Sequence, residues 1–60
     1  MPIREFVCGT RAVVKRGPDD YRVVCASCGA GGTVRHDIRG NATRAAVRDS
    51  NKPCRACGAH

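Results

Sequence analysis

The hydrophobic positions in the first half of the chain concentrate in two short runs of β-branched residues, at 11–16 and 21–25. Between them lies Gly-Pro-Asp-Asp, and this arrangement predicts a β-hairpin. Pro18 presets one turn dihedral, while Asp19 and Asp20 can bond back to turn amides, so we expect a tight and exposed connection. The second strand would end at Cys25.

A third strand is predicted at 33–39, where Val34, His36 and Ile38 alternate with polar residues. The glycine-rich segment 29–32 before it would form a flexible bend. Gly40 and Asn41 then break the alternating pattern.

Residues 42–50 contain good helix formers and predict a short amphipathic helix. Asn41 or Thr43 can cap its start, and Pro53 would terminate it. Four positions spaced for one helix face carry mostly small side chains: Ala42, Ala45, Ala46 and Asp49. That face can lie close against a sheet.

The chain has 60 residues and few bulky apolar side chains from which to build a core. The candidates are Ile3, Phe6, Val7, Val13, Val14, Tyr21, Val23, Val24, Val34, Ile38 and Val47. A domain this small buries too little surface to be comfortably stable unaided. Structural zinc contributes roughly 10–16 kcal/mol in finger-sized peptides, so a metal would supply the difference.

Two Cys-x-x-Cys-Gly sequences, which we call knuckles, predict such a metal site: Cys25-Ala-Ser-Cys28-Gly29 and Cys54-Arg-Ala-Cys57-Gly58. In each, a two-residue turn aims both sulfurs at one point, and glycine permits a left-handed backbone. Four thiolates from Cys25, Cys28, Cys54 and Cys57 can close a tetrahedral site around one zinc ion, with no position open for water or substrate. The predicted cofactor is therefore one structural zinc, without which the chain would be largely unfolded.

Two other uses of these cysteines are possible but less consistent with the pattern. A pair of disulfides is disfavoured by the odd cysteine count, by the repeated knuckle and by the lack of an apolar signal segment. A thioredoxin-like redox motif would need a βαβ context that the pattern does not provide. The predicted fold class is a small metal-stabilised α+β domain over residues 1–60, a zinc ribbon with a hairpin and one short helix.

The stretch Val23-Val-Cys-Ala-Ser-Cys-Gly-Ala-Gly-Gly32, followed by Asn41-Ala-Thr-Arg-Ala-Ala-Val-Arg-Asp-Ser-Asn51, resembles the Lar-type restriction-alleviation proteins of phages and prophages. That resemblance covers roughly residues 5–51. It implies a short zinc ribbon in which a first Cys-Pro-x-Cys-Gly knuckle leads into a hairpin, and a second ends in Cys-Gly-Ala. Ser50-Asn51 stands where the family has Trp-Asn at the end of its Ala-rich helix.

This chain departs from the family pattern at its start. Glu5-Phe-Val-Cys8-Gly9 occupies the place of the first knuckle, so the family's first cysteine is a glutamate here. The C-terminal Cys54 and Cys57 resemble that missing half-site, resupplied after the helix. Cys8 would then be a buried small hydrophobic residue near the site.

A rival ligand set is also compatible with the sequence. It uses Cys8, Cys25 and Cys28 with one donor from Cys54, Cys57, Glu5 or a histidine, either His36 or His60. Sulfur is preferred over carboxylate for structural zinc, and two intact knuckles satisfy the geometry without help.

The charge balance points to an anionic partner. Eleven Lys and Arg oppose five acids for a formal charge of +6, and four thiolates with one Zn²⁺ would leave about +4. Nine of the cations are arginines, whose planar guanidinium suits bidentate contact with phosphate or guanine. The candidate binding residues are Arg44, Arg48, Lys52 and Arg55, extended by Arg35 and Arg39 from the third strand. A solvated helix face is the alternative interpretation.

Three functions are compatible with these features. The first is a phage-type regulatory or anti-restriction protein that binds DNA, RNA or a nucleic-acid enzyme. The second is a module that docks on a host complex such as RNA polymerase or a restriction enzyme, and the third is a structural subunit of a larger particle. With only two aromatic residues, a dedicated single-strand binder is disfavoured.

We expect no enzyme activity, because no catalytic triad, supported carboxylate pair, phosphate-cradling loop or open metal position is recognisable. The expectation extends to no small-molecule substrate and no membrane partner. The absence of a visible targeting segment or membrane span suggests the cytoplasm, that of the host if the protein is phage-encoded. An exposed hairpin edge leaves the oligomeric state open.

Overall fold

The computed structural model describes residues 3–59 and consists of a three-stranded antiparallel sheet covered by one helix. The strands are β1 (Ile3–Cys8), β2 (Arg11–Gly17) and β3 (Asp20–Cys25), and the sheet order is β1-β2-β3. The helix, α1, spans Arg39–Asp49. This architecture confirms the predicted α+β class.

The predicted hairpin is formed by β2 and β3. Arg11 pairs with Cys25 and Gly17 with Asp20, so Pro18 and Asp19 alone make the connection, and both are exposed. The Asp20 carboxylate accepts hydrogen bonds from the Arg22 side chain, at 2.6 Å to Nε, instead of closing the turn. The tight turn was predicted correctly, although its aspartates do not stabilise it in the expected way.

The third strand of the sheet comes from the N-terminus and not from residues 33–39, so that prediction was wrong. The segment 30–38 only touches the outer edge of β3, through the isolated bridges Val24↔Gly31 and Tyr21↔His36. The two bridges are three positions apart along β3 but five positions apart along the segment, so the segment cannot stay in register. Gly31 and Gly32, with φ of 101° and 78°, turn it away from extended backbone.

Strand β1 instead pairs with β2 from Ile3↔Lys15 to Cys8↔Arg11. Its register shifts between Arg4 and Phe6, which places a bulge at Glu5. The residues that resemble a degraded knuckle are therefore an ordinary edge strand.

Helix α1 begins three residues earlier than predicted. Gly40 and Asn41 lie inside it, the N-cap is Ile38, and no side chain caps it. Thr43, a predicted cap, instead donates its hydroxyl to the carbonyl of Arg39 at 2.9 Å. The helix ends at Asp49, and a turn at 50–52 precedes Pro53.

The core lies between α1 and the sheet. Val13, Ala42 and Ala46 are fully buried, with Phe6, Tyr21 and Val23 packed against them. Alanine side chains are short, so the helix can approach the sheet closely, as the small-residue face predicted. The part of the chain described contains no helix with the length and apolarity needed to span a bilayer.

Candidate metal site and arginine groove

Both knuckles adopt the same backbone turn. In the first (residues 25–30), the amide of Cys25 donates to the alanine carbonyl five residues later at 2.8 Å, and the amide of Gly29 donates to the Cys25 carbonyl at 2.9 Å. In the second (residues 54–59), the two equivalent bonds are both 2.8 Å. Gly29 and Gly58 have φ of 78° and 77°, a conformation that favours glycine.

The four knuckle cysteines meet at one point. Their sulfur atoms all lie within 4.8 Å of one another, and the Cys25–Cys57 and Cys28–Cys54 Sγ separations are both 3.7 Å. Sulfurs around a tetrahedral zinc with bonds of about 2.3 Å stand about 3.8 Å apart. The donor set and its spacing therefore fit one metal ion bound by four thiolates.

The site is closed on one side and open on the other. Cys25 and Cys54 are only 2% and 7% exposed, whereas Cys28 and Cys57 are exposed. The first cysteine of each knuckle is thus anchored in the fold, and the second faces solvent.

Backbone amides favour ionised thiols at the anchored cysteines. The amides of Cys28 and Ser27 lower the pKa of Cys25 to about 6, and the equivalent amides of the second knuckle lower the pKa of Cys54. At Cys57 one backbone amide lowers the pKa, but the neighbouring thiols and partial desolvation outweigh it and raise the pKa to about 12. A bound cation would compensate the charge of thiolates at this site and favour their ionisation.

Thr10, in the turn between β1 and β2, joins the two halves of the site. Its amide and its hydroxyl both lie 3.1 Å from the Ser50 carbonyl, and the hydroxyl lies 2.8 Å from the Lys52 carbonyl. Its own carbonyl accepts the amide of Ala26, inside the first knuckle, at 3.0 Å. At the adjacent Gly9, with φ of 56°, an added Cβ would stand 2.5 Å from the Ser50 oxygen. This turn therefore packs tightly between the first knuckle and the segment that leads to the second.

The rival ligand set is not assembled among residues 3–59. Cys8 is half-buried, pairs with Arg11 in the sheet and lies outside the group of four. Glu5 sits at the bulge of β1, and His36 exchanges backbone hydrogen bonds with β3. His60 lies outside the described residues.

The six predicted cationic residues do not all line one surface. Arg35 donates to the carbonyl of Asp19 at the hairpin turn, and Arg39 donates to the carbonyl of Glu5 on β1. Lys52 is paired with a carboxylate at the end of α1. The other three, Arg44, Arg48 and Arg55, line a concave surface.

That surface, which we call the arginine groove, consists of two adjoining cavities of about 730 and 300 Å³. The larger lies between α1 and the segment 31–36, and Arg44 and Arg48 line it. The smaller lies beside the buried cysteines and is lined by Arg55. Arg11 lines both cavities, as do Val23 and Gly31, so the groove is continuous.

Sequence reasoning missed Arg11 because it lies in a strand that carried no functional signal. Its cross-strand partner is Cys25, the last residue of β3. The predicted hairpin places Arg11 opposite a knuckle cysteine, and this position could have identified Arg11 as a candidate binding residue.

Few of the cations are neutralised within residues 3–59. Asp20 pairs with Arg22 at 2.6 Å, and Asp49 pairs with both Arg48 and Lys52 at 3.2 Å. These contacts lower the pKa of each carboxyl group through side-chain hydrogen bonds from its cationic partners. Three of the eleven cations are thus paired, which leaves eight without a carboxylate partner in the described chain.

Comparisons with known proteins identify no relative. No family model, curated protein or solved structure matches the chain. The relationship to restriction-alleviation proteins therefore stays a prediction from the residues that resemble them.

Proposed function

We propose that this protein is a small zinc-stabilised module that binds nucleic acid through its phosphate backbone. Zinc is the metal that four thiolates at tetrahedral spacing suit best among the common structural ions. It would cross-link the knuckles and hold the fold together. Four sulfur ligands leave no open position, so we propose a binding protein and not an enzyme.

The observation that carries the proposal is the distribution of positive charge. Within residues 3–59, eight of the eleven cations have no carboxylate partner, against three that form ion pairs. The arginines that line the groove come from three parts of the chain and converge on one concavity. They are Arg11 on β2, Arg44 and Arg48 on α1, and Arg55 in the second knuckle. Such convergence favours an anionic polymer over a merely solvated surface.

The biological role we propose is regulatory or anti-restriction activity in the cytoplasm of a phage-infected or prophage-bearing host. It is supported by the resemblance of residues 23–32 and 41–51 to restriction-alleviation proteins. The strand at residues 3–8 weakens that resemblance at its N-terminal end, since no knuckle forms there.

The second candidate is docking on a protein such as a nucleic-acid enzyme. Four valine or isoleucine side chains, half or more exposed, favour it: Val7 at 52%, Val34 at 62%, Ile38 at 58% and Val47 at 50%. Exposed apolar side chains can mark a protein-binding surface when they are contiguous.

The test is recovery of partners by the zinc-loaded protein from host lysate, with and without nuclease and at low and high salt. Nucleic acid that is recovered at low salt and lost after nuclease treatment would support the proposal. A single protein recovered regardless of nuclease would contradict it in favour of the second candidate. Recovery of neither would contradict both.

A further inference from the structure

We propose that the arginine groove is the docking surface for the sugar-phosphate backbone of double-stranded nucleic acid. This inference rests on the proposed function and names the surface and the form of the partner. It assigns to Arg11 a binding role that the pattern of the sequence alone did not indicate.

The arginines are arranged to follow a chain of phosphates. Arg44 and Arg48 are four residues apart on α1, which places them about 6 Å apart along the helix axis. A duplex strand carries one phosphate per about 3.4 Å of its axis, so these side chains can reach different phosphates of one strand. Arg11 and Arg55 continue the positive surface from the helix towards the second knuckle.

The floor of the groove allows a ligand backbone to come close. Gly31 and Gly32 have no side chains, and Ala30, Ala45 and Ala56 contribute only methyl groups. One carboxylate, Asp49, lies among the lining residues, and it is already paired with Arg48 and Lys52. When Arg48 contacts a phosphate instead, Lys52 still compensates Asp49. An entering phosphate would therefore meet little uncompensated negative charge from the described residues.

The lining favours a duplex over a single strand. Among the described residues, no Phe, Tyr or Trp lines either cavity, and Phe6 and Tyr21 pack against the core. Unpaired bases are usually held by stacking on aromatic rings, whereas a duplex needs only contacts to its backbone. Duplex DNA and duplex RNA share that chemistry.

The experiment measures binding of the zinc-loaded protein to labelled duplex DNA, duplex RNA and single-stranded DNA across a range of salt. Four phosphate contacts predict a slope of log K against log salt of about −3.6 for duplex DNA, so that affinity falls about a hundredfold between 50 and 200 mM. Tighter binding to one of the two duplexes would identify DNA or RNA as the natural partner.

The variant pair is Arg44→Gln with Arg48→Gln, and the matched control is Arg4→Gln with Arg16→Gln. Both pairs remove two positive charges, but Arg4 and Arg16 do not line the groove. These choices also avoid Arg11 and Arg55, whose proximity to the cysteines could disturb metal binding. Zinc stoichiometry and thermal unfolding of every variant verify that the fold is intact.

We expect the groove pair to reduce the salt slope by about 1.8 and the affinity roughly fifty-fold near 0.1 M salt. We expect the control pair to retain most of the binding. Equal losses in both pairs would overturn the groove while leaving the proposed function intact, because overall charge would then explain binding. Preference for the single strand would overturn the duplex assignment, and no binding to any of the three would overturn the proposed function as well.

Discussion

Replacement of Thr10 by valine tests whether the turn between β1 and β2 holds the two halves of the metal site together. Valine has nearly the same shape, so the change removes a hydroxyl without opening a cavity. Thr10 is 8% exposed, and its hydroxyl lies closer to the Lys52 carbonyl, at 2.8 Å, than to the Ser50 carbonyl, at 3.1 Å. The Ser50 carbonyl keeps the amide of residue 10 as a donor, so the Lys52 carbonyl loses most.

The expected cost is about 1–2 kcal/mol, because one partly buried carbonyl loses a hydrogen bond that water replaces poorly. For a domain of this size, that corresponds to a decrease of about 5–15 °C in the melting temperature of the zinc-loaded protein. Folding and metal binding are coupled, so the apparent zinc affinity should fall by about 5- to 30-fold. Thermal unfolding in constant zinc measures the change in melting temperature, and chelator competition at fixed pH and protein concentration measures the change in zinc affinity.

Thr43→Val is the matched control. The Thr43 hydroxyl also donates to a backbone carbonyl, at 2.9 Å, but this bond is exposed to solvent. Water can replace it, so the control should change stability by no more than about 0.5 kcal/mol. Equal effects of the two substitutions would refute the idea that Thr10 couples the knuckles.

Three further predictions concern the metal site and its supports. Cys54→Ser combined with Cys57→Ser should abolish stoichiometric zinc binding, measured by elemental analysis, whereas Cys8→Ser should not. Retained zinc in the double variant would contradict the ligand set. Gly9→Ala should destabilise the fold by about 2 kcal/mol or more, because the backbone there is left-handed and the added Cβ would clash with the Ser50 carbonyl. Gly40→Ala has open space around its Cβ and should stabilise the helix by up to about 1 kcal/mol. Chemical denaturation of both variants measures whether the free energy of unfolding falls in the first and rises in the second. In the metal-free protein, backbone amides lower the pKa of Cys25 from 9.0 to about 6, so its ionisation stabilises the fold fully above pH 9.0 and this contribution is lost as pH falls through about 6. Protons also compete with a metal ion for the thiolates, so zinc retention followed along an acid titration should decline as pH falls, and retention that rises on acidification would contradict this.

Local patterns predicted the parts of this protein that depend on near neighbours in sequence. The hairpin follows from β-branched runs around Gly-Pro-Asp-Asp, and the small-residue helix face follows from alanines spaced three and four apart. The knuckles could be recognised because two residues between cysteines are enough to direct both sulfurs to one point.

The wrong predictions share one physical cause, which is that contacts between distant residues outweighed the local pattern. Residues 33–39 alternate as a strand should, but pairing requires register with a neighbour, and Gly31 and Gly32 interrupt it. Residues 3–8 alternate less clearly, yet β2 offers them an unpaired edge. The helix extends back through Gly40 and Asn41 despite their low propensity, since propensity is a weak preference that tertiary packing overrides.

The side chains that can bind a metal ion are recognisable in the sequence alone, because that chemistry is encoded in two short turns whose geometry is local. The packing of the whole chain brings these turns together, with sulfurs 3.7 Å apart across the knuckles. The same packing lets Thr10 bond both to the first knuckle and to the segment that precedes the second. It also decided which arginines share a groove: Arg11 joins those of the helix, whereas Arg35 and Arg39 turn away to backbone carbonyls. Such groupings arise from residues distant in sequence, and their contacts depend on how the sheet, the helix and the knuckles pack together.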